Sequence, residues 1–528
     1  MSPRVRSRKS AGGSRATPAR RFVVPAVLLA ITLVAGCGGA GAVARPSGYI
    51  QVDIEASPIS LDPRFATDAI SSRIEELIFD SVVKLDPHGN FVGDLAESFA
   101  RLSPTVIRFN LRRGVRFSDG RRLTAADVRY TYDSVMDPAT RSPKRAAFEP
   151  IASVEAPDDY TVVMTTRRPY AAALELAMLG VVPKGSPARG AAPPVGSGPF
   201  KLVSFTRDES VVLARNGSPP SRESLSGVIF KIVPDPTVRA LELAKGIGDF
   251  AENNLQPDLL GYLQGRPHLS INQFPGTAYD YLAFNFRNPR LRDVRVRRAI
   301  AMAIDREAIV RAMQRHTARV ATGMLSPENA AYEPGVARYQ YDPAAARRLL
   351  DEAGYRDPDG DGPRMRFTLV YKTTPEGRRL TEAFQAMLKR VGIGIEIRSN
   401  EWATFYSDIQ GGNFDLTSMR WVGINDPHHY YLVFDSGMAP PHGYNRGSYA
   451  NPRMDALAQA GEVTLDPARR REIYAEVQRL AADDLPYLSL WWQDNVVVMS
   501  KRIAGFTPYP NGSLISFSHL TAGAEPSR

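Results

Sequence analysis

The pattern that most restricts the fold of this chain lies between residues 367 and 397. Residues 367–371 are mainly apolar, residues 376–391 have helical spacing and end before Gly392, and residues 393–397 alternate isoleucine with other side chains. A strand, a helix and a second strand in this order favour two parallel strands with the helix packed against them. We therefore predict an α/β protein, and in sheets of this kind ligands bind beyond the carboxyl ends of the strands.

Further helix and strand signals occur on both sides of this unit. Residues 50–54 alternate apolar and polar side chains, which predicts a strand. Thr124 and Asp127 have the spacing of a capping box, and Asp-Pro pairs at 342–343 and 466–467 are typical of helix starts. About 490 residues follow the first 36, which is more than one hydrophobic core usually organises. Two or more lobes are therefore expected.

The first 36 residues are predicted to be a bacterial export signal. Seven positive charges and no acid lie within residues 4–21, and an apolar stretch covers residues 22–34. This stretch is shorter than the roughly 20 residues that a membrane-spanning helix needs. Small residues then precede a possible cleavage point before residue 37.

Cys37, the only cysteine of the chain, directly follows this signal. Residues 34–37 match the lipobox of bacterial lipoproteins, so we expect a diacylglycerol on Cys37 and a flexible tether over residues 37–47. Two acyl chains are enough for stable attachment to a membrane. The alternative is an ordinary signal peptide in which the cysteine is a coincidence.

The formal net charge of +10 belongs mostly to the export signal. Without its seven basic residues about +3 remains, so the charge gives no support for a nucleic-acid partner. With Cys37 lipidated, no thiol is left for disulfide bonds or thiolate chemistry.

Seven segments resemble one family of proteins, in the same order along the chain. The chain is similar to substrate-binding lipoproteins of ABC importers, in the large peptide- and nickel-binding family that includes dipeptide and oligopeptide binders. The segments are SLDP at 60–63, LRRGVRFSDGRRLTAADV at 111–128, VGSGPFKLV at 195–203, PDPTVRALEL at 234–243, YLAFNFRNPRLRDVRVRRAIAMAIDREAIV at 281–310, ARRLLDEAGY at 346–355 and LPYLSLWW at 485–492.

The resemblance implies an α/β fold with two lobes, the type II-like clamp of periplasmic binding proteins. Lobe I would comprise residues 48–68, 195–275 and 491–528, with an additional subdomain inserted at 69–194. Lobe II would span residues 276–490. Two crossing connections would form a hinge, and ligand would be enclosed when the lobes close.

The implied function is that of an extracytoplasmic receptor, periplasmic or at the cell surface, which captures peptides and delivers them to an ABC permease with its ATPase. It would act as a monomer without a cofactor. The alternatives are a non-peptide solute (a metal chelate, an opine or a sugar) and a receptor that signals to a membrane partner. An extracytoplasmic hydrolase is a further alternative, but no sequence signature supplies a nucleophile and its base. We therefore do not expect an enzyme.

The candidate binding site is the segment around Trp421, whose large amphipathic ring suits an enclosed ligand. In similar peptide binders an Asp follows the Trp as W-x-x-D or W-x-G-D, and its carboxylate holds the α-ammonium of the peptide. Here Ile424 occupies that position. Either Asp426 takes over this role, or the ligand has no free α-amino group there. Asp426 could also cap its own turn, and Trp421 could be a core residue.

The resemblance brings further residues towards the cleft, with core or solvated-loop positions as the alternative for each. These candidates are Asn425, Ser57, Pro58, Ser197, Tyr281, Asn285, Tyr444 and Asn445, with Arg446 in the same loop and Trp402 as a weaker candidate.

The adjacent His428 and His429 suggest a metal site, with His442 nearby. Neighbouring side chains on a helix or strand point apart, however, and a zinc or nickel site needs three or four ligands. We therefore expect a structural or surface role at the start of a helix, and no metal. Residues 357–362 imitate an EF-hand loop, but Thr368 stands where that loop needs a glutamate.

Overall fold

A computed structural model describes residues 46–187, 193–218, 221, 223–360 and 364–523. The predicted export signal and Cys37 lie outside the described residues. None of the helices in these ranges combines the length and the apolar character that crossing a membrane requires.

The strands of the described ranges run throughout the chain. They are β1 Tyr49–Ile54, β2 Val83–Leu85, β3 Phe91–Gly93, β4 Ala96–Ser103, β5 Val106–Leu111, β6 Ile151–Asp158, β7 Thr161–Thr166, β8 Phe200–Thr206, β9 Ser210–Arg215, β10 Gly227–Ile232, β11 Phe250–Glu252, β12 Leu269–Phe284, β13 Ala318–Val320, β14 Phe367–Thr373, β15 Ile393–Ser399, β16 Leu416–Trp421, β17 Tyr487–Ser500, β18 Ile503–Ala504 and β19 Thr521–Ala522.

The helices are denser in the second half of the chain. They are α1 Ala69–Ile78, α2 Ala125–Met136, α3 Ala173–Leu176, α4 Pro236–Ala244, α5 Pro257–Leu263, α6 Pro289–Arg292, α7 Val294–Ala303, α8 Arg306–Ala312, α9 Pro343–Glu352, α10 Arg378–Lys389, α11 Trp402–Gly411, α12 His429–Phe434, α13 Pro452–Val463 and α14 Pro467–Asp484. Short 3₁₀ helices cover Pro138–Thr140, Arg145–Phe148, Ser436–Met438 and Ile515–His519.

Local sequence signals explain where several of these helices begin. Asp342 and Asp466 each accept a hydrogen bond from a backbone N–H of the first turn, and a proline follows each of them. Asp127 accepts a hydrogen bond from the backbone N–H of Thr124 at 2.8 Å, as the capping box predicts. These three helix starts are confirmed.

The predicted strand–helix–strand unit is present as β14, α10 and β15. The two strands pair in parallel from Phe367 opposite Ile393 to Thr373 opposite Ser399. They form one end of a large sheet with the order β15-β14-β16-β12-β17-β11-β1-β10-β9-β8, and β13 also pairs with β17. The α/β fold class is therefore confirmed.

The long antiparallel strands β12 and β17 lie in the middle of this sheet and connect its two ends. They pair from Leu269 opposite Ser500 to Ala283 opposite Tyr487, with irregularities between Phe274 and Ala278 and between Asp280 and Tyr281. Both strands therefore contribute residues to the cores at either end.

Two of the hydrophobic cores contain most of the strands and helices before residue 235. The first core packs β1, α1 and β8–β10 against the C-terminal segment around Leu514 and Phe517. The second core lies between residues 82 and 181, where α2 packs on a separate sheet of order β4-β5-β7-β6.

Two more cores cover opposite faces of the other end of the large sheet. In β12, Leu282 and Phe284 belong to the third core with α7, α9 and α10, whereas Tyr279 and Tyr281 belong to the fourth core with α12, α13 and α14. This division follows from the alternation of side chains along a strand. It places the aromatic candidates on the fourth-core face.

Candidate functional site

Trp421 is the last residue of β16 and lies where that strand leaves the sheet. β16 pairs in parallel with β14 and antiparallel with β12, so that Trp421 faces Tyr279 in register. Gly423 follows with a φ of +72°, a left-handed conformation that glycine adopts without a steric penalty. The chain therefore turns sharply after the tryptophan and leads into α12.

An aromatic group surrounds Trp421. Its ring centroid lies 4.6 Å from that of His429, 5.1 Å from Tyr444 and 6.1 Å from Tyr281. Tyr281 is 1% exposed and stacks on Tyr487 at 4.1 Å. The structure thus brings together three of the candidates, with Tyr281 as the buried support and Tyr444 at the surface.

Both carboxylate oxygens of Asp426 are taken by Arg470. The two Arg470 nitrogens donate hydrogen bonds of 2.8 and 2.6 Å, and the backbone N–H of His428 donates a third at 2.8 Å. Burial raises the pKa of Asp426, but hydrogen bonds and the charge of Arg470 outweigh it and lower this pKa below the usual value. Asp426 therefore caps its turn and pairs with a cation of the protein itself.

Ile424 and Asn425 complete the turn. Ile424 is 4% exposed and packs in the fourth core. The backbone carbonyl of Asn425 accepts a hydrogen bond of 3.0 Å from the side chain of Asn329. The position that carries the ammonium-binding Asp in similar peptide binders is here an apolar core position.

His428 lies between two glutamates. Its Nε2 atom is 3.2 Å from the carboxylate of Glu175 and its Nδ1 atom is 3.5 Å from that of Glu462. Burial lowers the pKa of His428, but the hydrogen bonds and charges of the two glutamates raise it to about 10. His428 is therefore a cation that joins α3 of the second core to α13 of the fourth core.

The neighbouring His429 has the opposite electrostatic environment. Burial and the charges of His428 and Arg446 lower the pKa of His429 to about 3, so its ring is neutral. The predicted helix start at these two histidines is confirmed, since α12 begins at His429. Trp402, the weaker candidate, follows β15 at the start of α11 and is 60% exposed.

Arg446 is a buried cation within the aromatic group. Its guanidinium carbon lies 5.0 Å from the ring centre of Trp421, 5.3 Å from Tyr444 and 5.4 Å from Tyr406. One nitrogen donates to the Tyr406 hydroxyl at 3.3 Å and another approaches the sulfur of Met419 at 3.6 Å. Aromatic faces rather than carboxylates thus surround this charge.

The amides of Asn285 and Asn445 bind backbone carbonyls. Asn285 donates 2.8 and 2.7 Å hydrogen bonds to the carbonyls of Gly412 and Phe414. Asn445 donates to the carbonyls of Asp435 and Tyr449 at 3.1 and 2.7 Å. Both side chains fix the loops that carry the aromatic group.

Ser57, Pro58 and Ser197 belong to the other end of the large sheet. The Ser57 hydroxyl donates to Asp208 at 2.9 Å and accepts from the Asp208 backbone N–H at 2.6 Å, and Pro58 is buried. Ser197 lies beside Asp80, whose pKa burial raises to about 6 against the lowering effect of the Ser197 hydroxyl. The hydrogen bonds of Ser57 thus link the end of β1 to the turn between β8 and β9.

A cavity of about 370 Å³ opens beside the turn that follows Trp421. We call it the turn cavity. Its walls combine the β2–β3 hairpin and α3 of the second core with α14, the turn and the loop at 328–331. The lining residues are Leu85, Asp86, His88, Gly89, Asn90, Phe91, Arg101, Ala171, Leu174, Thr277, Glu328, Asn329, Ala330, Ala331, Ile424, Asn425, Asp426, Pro427, Leu465, Pro467, Arg470, Arg471, Tyr474, Pro510 and Asn511.

A second cavity, of about 540 Å³, lies between α8, α14 and the segment around Tyr339. Tyr279, Tyr430 and Tyr487 line it, but none of the predicted site residues does. Its walls come from the third and fourth cores alone. The turn cavity is therefore the better candidate, because it includes Asn425 and Asp426 and is shared with the second core.

The family can be decided by comparison with known proteins. A family model described as bacterial extracellular solute-binding proteins, family 5 Middle, matches residues 90–439. The chain belongs to this family.

Two relatives of this family 5 protein, one of them also by its solved structure, illustrate the likeness. The oligopeptide-binding protein AppA of Bacillus subtilis is 26% identical over 497 residues, covering 89% of this chain and 91% of AppA. A putative ABC transporter peptide-binding protein of Brucella ovis is 28% identical over 517 residues, covering 92% of this chain and 96% of the Brucella ovis protein. The solved structure of AppA from Bacillus subtilis with a nonapeptide has a TM-score of 0.78 at 25% identity and covers 90% of this chain and 99% of that one. This likeness confirms the two-lobed clamp of periplasmic binding proteins.

Several residues of the site were not predicted as site residues. Arg470, Glu175 and Glu462 lie on helices, and no local sequence pattern marks them, because their partners Asp426 and His428 are distant along the chain. Tyr487 lies within the LPYLSLWW segment at 485–492, whose aromatic content was a usable signal. Arg446 lies in the candidate loop with Tyr444 and Asn445. Only the folded chain shows that no carboxylate of the described residues pairs with it.

Proposed function

We propose that this family 5 protein is the peptide receptor of an ABC importer, which captures peptides outside the cytoplasmic membrane and delivers them to a permease with its ATPase. The observation that carries the proposal is the turn cavity, whose walls come from the second core on one side and the fourth core on the other. A ligand there bridges parts of the protein that pack independently. Relatives that match nearly the full chain are named peptide-binding proteins.

The proposed division into lobes follows the two long central strands. Lobe I would comprise 48–68, 195–275 and 491–528 with the insert at 69–194, and lobe II would span 276–490. The irregularities in β12 pairing between Phe274 and Tyr281 lie at this boundary, where a bend costs few hydrogen bonds. β12 and β17 would then act as the hinge.

Direct contacts across the cavity support closure around ligand. The backbone N–H of Ala171 donates to the carbonyl of Glu462 at 2.8 Å, beside the contact between His428 and Glu175. A ligand that binds both walls favours the state in which these contacts form. The permease would recognise this closed state.

The cavity walls suit a ligand with a variable sequence. Backbone and side-chain polar groups from Asn90, Asn329 and Asn425 lie among apolar residues such as Leu174 and Ile424. Water can bridge such groups to different side chains at little cost in enthalpy. Contacts with the peptide backbone would then provide affinity, with broad tolerance for side chains.

We infer that the mature protein is a monomer attached to the membrane through lipid on Cys37. The lipobox at residues 34–37, after a short apolar stretch, supports this attachment. We do not propose catalysis, because the relatives are named as binding proteins.

Native mass spectrometry of the protein without residues 1–36, with Cys37→Ser, tests the proposal. A co-purified mass that fragments as a peptide supports peptide capture. If the co-purified mass is instead a metal chelate, an opine or a sugar, that solute is the ligand and the peptide proposal is wrong. Shorter products after incubation with defined peptides would instead indicate a hydrolase, and intact peptides after the same incubation are expected.

A further inference from the structure

The guanidinium of Arg446 lies within the aromatic group and has no ionic partner among the described residues. The side chain is buried, with the residue only 5% exposed, and it forms no ion pair with a carboxylate in the described part of the chain. By contrast, the neighbouring charges of Asp426 and Arg470 pair with each other. Burying an unpaired charge is costly, so a functional reason is expected.

Arg446 and Trp421 each carry a hydrogen-bond donor that lacks an acceptor. Within the described residues, neither Nε of Arg446 nor Nε1 of Trp421 has a hydrogen-bond partner, although both atoms are buried. Leaving a buried donor unsatisfied costs about 1–3 kcal/mol. The guanidinium carbon is 5.0 Å from the centre of the Trp421 ring, so the two unsatisfied donors belong to side chains that lie against each other.

Among the described residues, no carboxylate forms an ion pair with Arg446. Ile424 replaces the acid of the W-x-x-D pattern, and Asp426 is neutralised by Arg470. The His429 ring, 4.6 Å from that of Trp421, is neutral because its burial and the charges of His428 and Arg446 lower its pKa to about 3. The electrostatic preference at this end of β16 is thus for an anion.

We propose that Arg446 holds a carboxylate of the captured ligand, so that a peptide presents an acidic end to Trp421 and not its α-ammonium. The proposal rests on the function proposed above and specifies its ligand as a peptide with a free carboxylate at this end. Guanidinium and carboxylate match in geometry and charge, and the low-polarity aromatic shell strengthens the contact.

Tyr444 controls the access to this group. It covers Arg446 at 5.3 Å but is itself 37% exposed, in the loop between α12 and α13. Rotation of this one side chain exposes the guanidinium edge next to Trp421. The ligand carboxylate then binds the guanidinium where the Tyr444 ring lay. The Tyr444 ring finally packs over the bound carboxylate.

The test uses three peptide pools with the same sequences of three to nine residues, without Asp or Glu. One pool has free ends, the second is N-acetylated and the third is C-amidated, so the third contains no carboxylate. Binding to the Cys37→Ser protein is measured by native mass spectrometry at equal peptide concentration. We expect amidation to weaken binding about 10- to 100-fold, the effect of losing a charged hydrogen-bonded pair. Acetylation should leave binding unchanged within about 2-fold.

Variants of Arg446 test whether this residue causes the effect of C-amidation. Arg446→Gln should bind the free and acetylated pools as weakly as the amidated one, and Arg446→Lys should retain part of the discrimination. Arg113→Gln is the matched control, because Arg113 also stacks on a tyrosine, Tyr160 at 4.7 Å, but lies exposed in the second-core region. Thermal unfolding of each variant checks that it is folded.

The outcomes separate the two proposals. Equal binding of the free and amidated pools, or loss on acetylation instead, overturns the carboxylate site and leaves the peptide receptor intact. Absence of binding to all three pools overturns the peptide receptor and the site with it. The comparison of pools needs only the unmodified Arg446 protein, so it remains decisive if a variant does not fold.

Discussion

Asp426 shows how one pairing changes the role of a residue. Similar peptide binders place a carboxylate near this position for the ligand, whereas here Arg470 donates to both oxygens of Asp426. The two side chains are 10% and 14% exposed, so the ion pair is nearly removed from water. Breaking a buried pair strands the remaining charge.

Asp426→Asn should therefore destabilise the protein by about 3–5 kcal/mol, the cost of leaving a buried charge unpaired. Urea unfolding measures this change. Glu472→Gln is the control, because it removes the exposed pair of Glu472 with Arg469 and should change stability by less than about 0.5 kcal/mol. Normal stability combined with lost peptide binding in Asp426→Asn would show that Asp426 serves the ligand instead.

His428 gives stability a defined dependence on pH. Its pKa is about 10 in the folded chain, against 6.5 ordinarily, so the folded protein binds its proton more tightly. This stabilisation is complete below about pH 6.5 and is lost as the pH rises through 10. Burial also raises the pKa of Glu175, which acts in the same direction. The groups that face His428 are Glu175, Glu462, Tyr170, and Asp426 with Arg470.

His428→Gln should lower the free energy of unfolding by about 1.5–3 kcal/mol at pH 6, the range for hydrogen bonds to charged groups. The difference from the unmodified protein should disappear near pH 10. His442→Gln in the exposed loop is the control. A difference that stays constant across this pH range would mean that the imidazolium is not the stabilising form.

At the level of the elements, local sequence patterns predicted those strands and helix starts that depend on neighbouring residues. The unit β14–α10–β15 and the helix starts at Asp342 and Asp466 depend on neighbouring residues, and they were predicted from the sequence. Trp421 and Tyr281 were predicted to share a site through the family resemblance, and they are neighbours across paired strands. The ion pairs of Asp426 and His428 could not be predicted, because their partners are distant along the chain. The pair of His428 with Glu175 also depends on how the second and fourth cores pack against each other.

The capping box of α2 also ties that helix to a distant segment. Asp127 accepts from the backbone N–H of Thr124 and from that of Lys184, both at 2.8 Å. Asp127→Ala leaves both donors without their acceptor, so we expect a loss of about 1–3 kcal/mol in urea unfolding. Asp133→Ala on the exposed face of the same helix, where Asp133 pairs with Arg129, should cost less than about 0.5 kcal/mol. Equal effects of the two changes would contradict this role of the cap.

At the level of the whole molecule, the second core contacts the fourth core beside the turn cavity. His428 with Glu175 and Ala171 with Glu462 are two of these contacts. Glu175 does not line the turn cavity, so it influences a ligand there through closure and not through contact. The affinity for the ligand depends on the population of the closed state.

Glu175→Gln should therefore speed the release of bound peptide about 10-fold, the effect of losing about 1.4 kcal/mol from the closed state. Stopped-flow displacement of a fluorescent peptide measures this rate. Glu149→Gln is the control, since Glu149 pairs with Arg167 at an exposed site within the second-core region. An unchanged release rate in Glu175→Gln would show that this contact does not stabilise the closed state.

The shared central strands limit how this protein can change in length. β12 and β17 pair over residues 269–283 and 487–500 and serve the cores at both ends of the sheet. Inserting one residue into either strand reverses which side chains face each core along the rest of that strand. Surface loops such as the one at 357–360 tolerate insertions, because no ladder continues through them. Natural variation in the length of such a chain should therefore accumulate in loops, while these two strands keep a constant residue count.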